Sequence, residues 1–228
     1  MISPKSIVSL FETNGGSFHV TPDQFENSSL KIKAIIFDWD GVFNKGEKGD
    51  ASSSPFNEID SMGTNLLRYG YWLLNKKMPI TAVISGEHNS SALFWTKREC
   101  FHYNFVKFSN KTEALSTFCK ETGTLPEEIC YVFDDVLDLA LAKIVGLRIF
   151  IPRSSNPMLN NYVISNGLAD YSTGQQSGEF PVREAAELIL AMIGQYKNVI
   201  DNRVAFSESY KSYIAERGYI STTTIHPL

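Results

Sequence analysis

Two carboxylates stand one residue apart where the apolar run AIIF (34–37) ends: Asp38 and Asp40, separated by Trp39 and followed by Gly41. Other apolar runs end in residues suited to the same chemistry. Ser85–Gly86 follows AVI, Lys111 opens the segment after FHYNFVKF (101–108), and Asp134, Asp135 and Asp138 follow CYVF. If these runs are parallel strands, their carboxyl ends share one sheet edge, the place where open α/β sheets bind ligands. Five aspartates gathered there would repel one another and raise each other's pKa unless a cation sat among them. All-oxygen ligation, with neither His nor Cys, favours Mg²⁺ over zinc, and Mg²⁺ leaves coordination positions for water and a substrate phosphate. The Ser85 hydroxyl and the Lys111 charge suit that phosphate.

The elements that must position these residues are legible as alternation. KIKAIIF (31–37), PITAVI (79–84), FHYNFVKF (101–108), EICYVF (128–133) and LRIFI (147–151) have the length and β-branched content of strands buried on both faces. Between them, SMGTNLLRYGYWLLNKK and KTEALSTFCKETG carry helical spacing, and PVREAAELILAMIG (181–194) forms a further helix. The order β-α-β-α predicts an α/β fold, a Rossmann-like three-layer α/β/α sandwich with a mostly parallel sheet. GVFNKGEKGDASSSPFNEID is too long and too rich in Gly and Ser for a plain βα connection. It reads either as an irregular loop or as a small hairpin flap, at about 42–58, over the strand ends.

Residues 1–30 read as an appended arm, 31–194 as the main domain and 195–228 as a C-terminal extension. That extension is partly helical, in SESYKSYIAERG, with Ser207 as cap and Gly218 as stop. A net charge of −4 with scattered basic residues gives no footprint for nucleic acid or an anionic membrane. The apolar segment near the N-terminus is too short for a signal peptide, and no run reaches the roughly 20 residues that span a bilayer, so a soluble cytoplasmic protein is expected. Cys100, Cys119 and Cys130 show neither disulfide nor zinc spacing, and the four histidines are dispersed.

FDWDGVFNKG resembles motif I of the haloacid dehalogenase superfamily of phosphohydrolases, hhhhDxDG. VISG is similar to its motif II, NKTEAL to its motif III lysine and FDDVLD to its acidic motif IV, all in the required order. NEIDSMGTNLLRYG and GLADYSTGQQSGEFPVREAAELIL resemble the capless branch that includes 3-deoxy-D-manno-octulosonate 8-phosphate phosphatase and the nonulosonate phosphate phosphatases. The resemblance runs from about Lys31 to Gly194. It implies no large cap domain, a homotetramer, and a phosphorylated sugar acid as substrate. It further implies Asp38 as nucleophile, forming an aspartyl-phosphate, Asp40 as general acid and base, and Ser85 and Lys111 as phosphate-positioning groups. Mg²⁺ would be held by Asp38, the Asp40 carbonyl and Asp134, with Asp135 or Asp138 in support. Gly86, Asp60, Lys45 and Arg183 are candidate substrate contacts.

Plainer readings stand beside these. Asp138 could be a solvated carboxylate, Lys111 a surface lysine, Asp60 a helix cap, and Arg183 the partner of Glu187 one helical turn on. Lys45, Glu87 and Phe133 depart from the branch's pattern, and Glu87 replaces a cation near the expected anionic substrate. A catalytically weakened descendant that binds a phosphosugar or a protein partner is therefore the alternative. A phosphoacceptor receiver domain would carry its acidic pair early and its phosphorylated aspartate mid-chain, the reverse of the order here.

Overall fold

The computed structural model describes residues 3–49 and 54–227. The chain begins with α1 (Pro4–Thr13), β1 (Ser17–Phe18) and α2 (Pro22–Leu30), and then enters the central strand β2 (Ala34–Phe37). Both early helices start on Pro behind a hydroxyl cap: Ser3 accepts from Ser6 N, and Thr21 forms a reciprocal capping box with Gln24. There follow α3 (Glu58–Asn75), β3 (Ile80–Ser85), α4 (Ser90–Arg98), β4 (Tyr103–Val106), α5 (Lys111–Thr122) and β5 (Ile129–Phe133). The chain continues through α6 (Leu139–Ala142), β6 (Leu147–Phe150), α7 (Pro157–Ser165), β7 (Tyr171–Ser172) and α8 (Pro181–Met192). It closes with α9 (Tyr196–Val204), α10 (Glu208–Gly218) and β8 (Thr223–Ile225).

The strands form one eight-stranded sheet in the order β1-β7-β6-β5-β2-β3-β4-β8, parallel throughout except where β1 meets β7. The fold is an α/β sandwich with no large cap among the described residues. Side-chain alternation along the strands splits the core in two. Ile35, Phe37, Val83, Val132 and Ile149 pack with α3, α8 and the terminal helices on one face. Ala34, Ile36, Ile84, Tyr131 and Phe133 pack with α5, α6 and α7 on the other. Phe133, which departs from the branch's pattern, is fully buried in that second layer, stacked on Tyr131 with ring centroids 5.5 Å apart.

Residues 1–30 and 195–228 do not hang free of this core where they are described. Ile7 and Phe25 are buried against α8, β1 extends one edge of the sheet, and β8 adds to the other edge beside β4. The flap region holds no regular strand in residues 45–48 or 54–57, and residues 50–53, on which the expected hairpin would turn, lie outside the described residues. None of the helices among the described residues is long and apolar enough to cross a membrane.

Register fixes the site. Phe37 lies beside Val83 and Val132, so Asp38, Ser85 and Asp134 leave three adjacent strands at nearly one level.

Candidate active site

At the carboxyl ends of β2, β3, β5 and β6 is a cleft of about 440 Å³. Asp38, Asp40, Gly86, Lys111, Asp135 and Asp138 line it, together with Gly46, Lys48, Glu87, Val136, Leu137 and Arg153. Ser85 and Asp134 do not line it and are almost fully buried. The Ser85 hydroxyl is turned into its own loop, where it donates to the Glu87 carbonyl at 3.0 Å.

Lys111, the first residue of α5, is 4% exposed and no surface lysine. Its Nζ donates to Asp38 Oδ1 at 2.6 Å and to Asp138 Oδ1 at 2.5 Å. Asp138, also buried, accepts in addition from the Tyr131 hydroxyl at 2.5 Å and from the Asp135 backbone N–H at 3.1 Å. Burial pushes the Asp38 carboxyl up to about 7; Lys111 draws it down and Asp138 pushes it further up. Asp134 is likewise raised well above its ordinary value, by burial first and then by the charges of Asp38 and Asp138, while Arg153 draws it down. For Lys111, burial works downward, but Asp138 and Asp38 overcome it and hold the ammonium above its usual range.

Such mutual elevation is what a bound cation would relieve. Asp38, Asp134 and Asp138 each offer an oxygen, and these atoms lie within 4.8 Å of one another. Asp134 Oδ1 is buried with no hydrogen-bond partner among the described residues. An all-carboxylate donor set with one such oxygen fits a hard divalent cation.

The loop after β2 is shaped around this cluster. Gly41 has φ +89°, and a Cβ there would collide with Asp134 Oδ2 and Arg153 Nη2, so only glycine can hold the position. Asn44 fastens the turn, donating to the Trp39 carbonyl at 3.3 Å and accepting from Gly46 N at 2.8 Å. Asp40 accepts from Lys48 Nζ at 2.9 Å and from Asn89 Nδ2 at 3.4 Å, while Asn89 also caps α4.

Four residues of this arrangement escape the motif reading: Arg153, Lys48, Asn89 and Tyr131. Arg153 follows the apolar run LRIFI with only Pro152 between, so the strand-end rule that collects the aspartates also reaches it. Tyr131 sits inside a strand and gives no such signal.

Three candidate substrate contacts are not brought to the cleft. Asp60 is fully buried, accepting from Asn57 Nδ2 at 2.7 Å and from Arg183 N at 2.8 Å. It thus caps α8 from α3, while the cap of α3 itself is Asn57. Burial raises the Asp60 carboxyl to about 6 against the pull of these bonds. Arg183 pairs with Glu187 at 2.7 Å, one turn along α8. Lys45 is exposed, with its stem facing Gly178. Replacing Asp60 with Ala is expected to cost about 1–3 kcal/mol in urea unfolding by orphaning the α8 N–H, with kcat and KM within about twofold of wild type. A large rise in KM at unchanged stability would return Asp60 to the substrate.

No family model matches the chain. Among solved structures, it is similar to a probable YrbI-family phosphatase from Pseudomonas syringae, with 25% identity and a TM-score of 0.66 over 80% of this chain and 98% of that one. It is also similar to 3-deoxy-D-manno-octulosonate 8-phosphate phosphatase from Moraxella catarrhalis, in complex with a magnesium ion, a phosphate ion and a KDO molecule. There the identity is 22% and the TM-score 0.65, over 79% and 98% of the two chains. The cobalt-bound YrbI phosphatase of Haemophilus influenzae matches at 22% identity and a TM-score of 0.62, over 74% of this chain and 93% of that one. Fold, motif order and the first of these likenesses support a phosphatase, one that resembles the haloacid dehalogenase type. Within that class it resembles the capless group of the YrbI and octulosonate phosphate phosphatases.

Proposed function

We propose that the protein is a Mg²⁺-dependent phosphohydrolase that cleaves a small phosphorylated sugar acid through an aspartyl-phosphate on Asp38. The observation that carries this reading is the convergence of Asp38, Asp40, Lys111, Asp135 and Asp138 on one cleft, with Asp134 directly behind it. A binding protein needs no nucleophile and acid in such proximity.

Asp38 attacks phosphorus, and Lys111, fixed by Asp138 and Tyr131, holds the attacking carboxylate in one orientation and offsets the phosphoryl charge. Asp40 gives a proton to the leaving sugar oxygen and later takes one from water, dividing a very slow hydrolysis into two easier steps. Asp38, Asp134 and Asp138 would hold Mg²⁺, with Asp135 near enough to orient a ligand. A bound divalent cation supplies neutralisation of the phosphoryl oxygens.

The cleft's volume suits a phosphorylated monosaccharide. Val136 and Leu137, 61% and 56% exposed at its mouth, favour a neighbouring subunit as cover and hence a homo-oligomer, a tetramer by family resemblance. Three free thiols accord with a reducing, cytoplasmic setting.

The test is phosphate release from 3-deoxy-D-manno-octulosonate 8-phosphate and a panel of other sugar phosphates, in Mg²⁺ and in EDTA. Release that requires Mg²⁺ and ranks the carboxylated sugars first is expected. Silence across the whole panel would leave a phosphosugar-binding descendant as the better reading.

A further inference from the structure

Arg153, just beyond β6, lines the cleft, and its Nη2 donates to Asp134 Oδ2. Asp134 is 1% exposed, so the guanidinium favours the charged form of a carboxylate that water does not reach. The pair is accommodated by design of the backbone, since a side chain on Gly41 would strike both partners. Arg153 has no other ion pair among the described residues, and its buried Nε finds no acceptor. Lys111, by contrast, is shared between two carboxylates.

Asp134 is also one of the three carboxylates positioned for a divalent cation. A guanidinium and a divalent ion on one buried carboxylate place three positive charges within a few ångströms, in surroundings that screen poorly, so each must weaken the other. Arg153 holds Oδ2 and leaves Oδ1 without a partner, so a metal on Asp134 would share the carboxylate with Arg153 and loosen its hold.

We propose that Arg153 is a displaceable counter-ion: it neutralises Asp134 until a divalent cation takes that carboxylate, and its guanidinium then turns to the anionic substrate in the cleft. The proposal rests on the metal-dependent phosphatase reading, but its test measures binding rather than turnover. Metal and anion are thereby coupled, because each favours the same released position of one side chain.

Calorimetric titration of Mg²⁺ into metal-free wild type, Arg153→Met and Arg153→Lys, with and without inorganic phosphate, decides the matter. Arg153→Met is expected to bind Mg²⁺ at least about tenfold more tightly, since a competing charge is gone. Phosphate should then tighten Mg²⁺ binding by a smaller factor in Arg153→Met than in wild type. Arg153→Lys, a shorter point charge without the fork, should fall between the two, and it carries the test if Arg153→Met shows no cooperative melt. Unchanged or weaker Mg²⁺ affinity in the variants overturns the counter-ion role, and undiminished phosphate coupling overturns the turn toward substrate. Absence of Mg²⁺ binding in every protein overturns the proposal together with the metal-dependent reading beneath it.

Discussion

Asp38→Asn is expected to reduce phosphate release to below about one thousandth of wild type, because the amide cannot form the aspartyl-phosphate on which the proposed two-step route depends. The same change should stabilise the metal-free protein at pH 8. Burial raises the Asp38 carboxyl to about 7 in the folded state, well above its unfolded value of 3.8. Such a group contributes stability at acid pH that is lost as pH rises through 7, so at pH 8 the charged form is a burden that Asn does not carry. The melting temperature of Asp38→Asn in EDTA should exceed that of wild type at pH 8, by the equivalent of about 1–4 kcal/mol. The gap should close as pH falls toward 4. Melting curves at both pH values, beside phosphate assays, check both halves, and a variant that is inactive because it is unfolded would sink the interpretation.

Lys111→Met is the second large effect, with the opposite consequence for stability. Its ammonium lies 2.6 Å from Asp38 and 2.5 Å from Asp138, and none of the three side chains is more than 10% exposed. Removing it strands two buried carboxylates, and a loss of about 3–5 kcal/mol at pH 8 in EDTA is expected. Acidification should return part of this, since Asp38, raised by burial, can then take up a proton. Activity should fall about 10²–10³-fold through lost charge and lost orientation of Asp38. Lys111→Arg would not restore it, because a rigid fork does not match the two single oxygens that one ammonium bridges. Urea unfolding at pH 8 and pH 5, with steady-state kinetics, separates these effects, and a stable, active Lys111→Met protein would show Lys111 to be dispensable.

The long strands and their acidic ends were legible because burial on both faces leaves a continuous apolar run, and polarity returns abruptly where the strand stops. β2, β3 and β5 are of that kind, which is why Asp38, Ser85 and Asp134 could be named. β1 and β7 have two residues each and β8 has three, too few for any period to register. Their pairing partners lie in distant parts of the chain, which local pattern cannot reveal. Asp60 and Arg183 are named as substrate contacts because the segments that carry them resemble the branch's motifs. Whether a carboxylate faces a cleft or a helix N-terminus depends on tertiary packing, here the close approach of α3 and α8, where a Cβ on Gly63 would lie 2.9 Å from Arg183 Cα. Glu184 belongs to the same class: it accepts from Tyr171 and from the backbone of Gly174 and Gln175, pinning the loop before α8.

The two outermost strands of the sheet come from the two ends of the chain, Ser17–Phe18 against β7 and Thr223–Ile225 against β4. Each pairing closes a very long loop for only a few hydrogen bonds, so neither can pay its entropy until the interior strands are in place. The chain is therefore expected to assemble from its interior strands outward, with the edge strands acting as latches that arrive last. Local opening should run in the reverse direction, with edge amides exchanging with solvent well before those of β2. The strands that carry Asp38, Ser85 and Asp134 are thus insulated from fraying by the least stable parts of the fold.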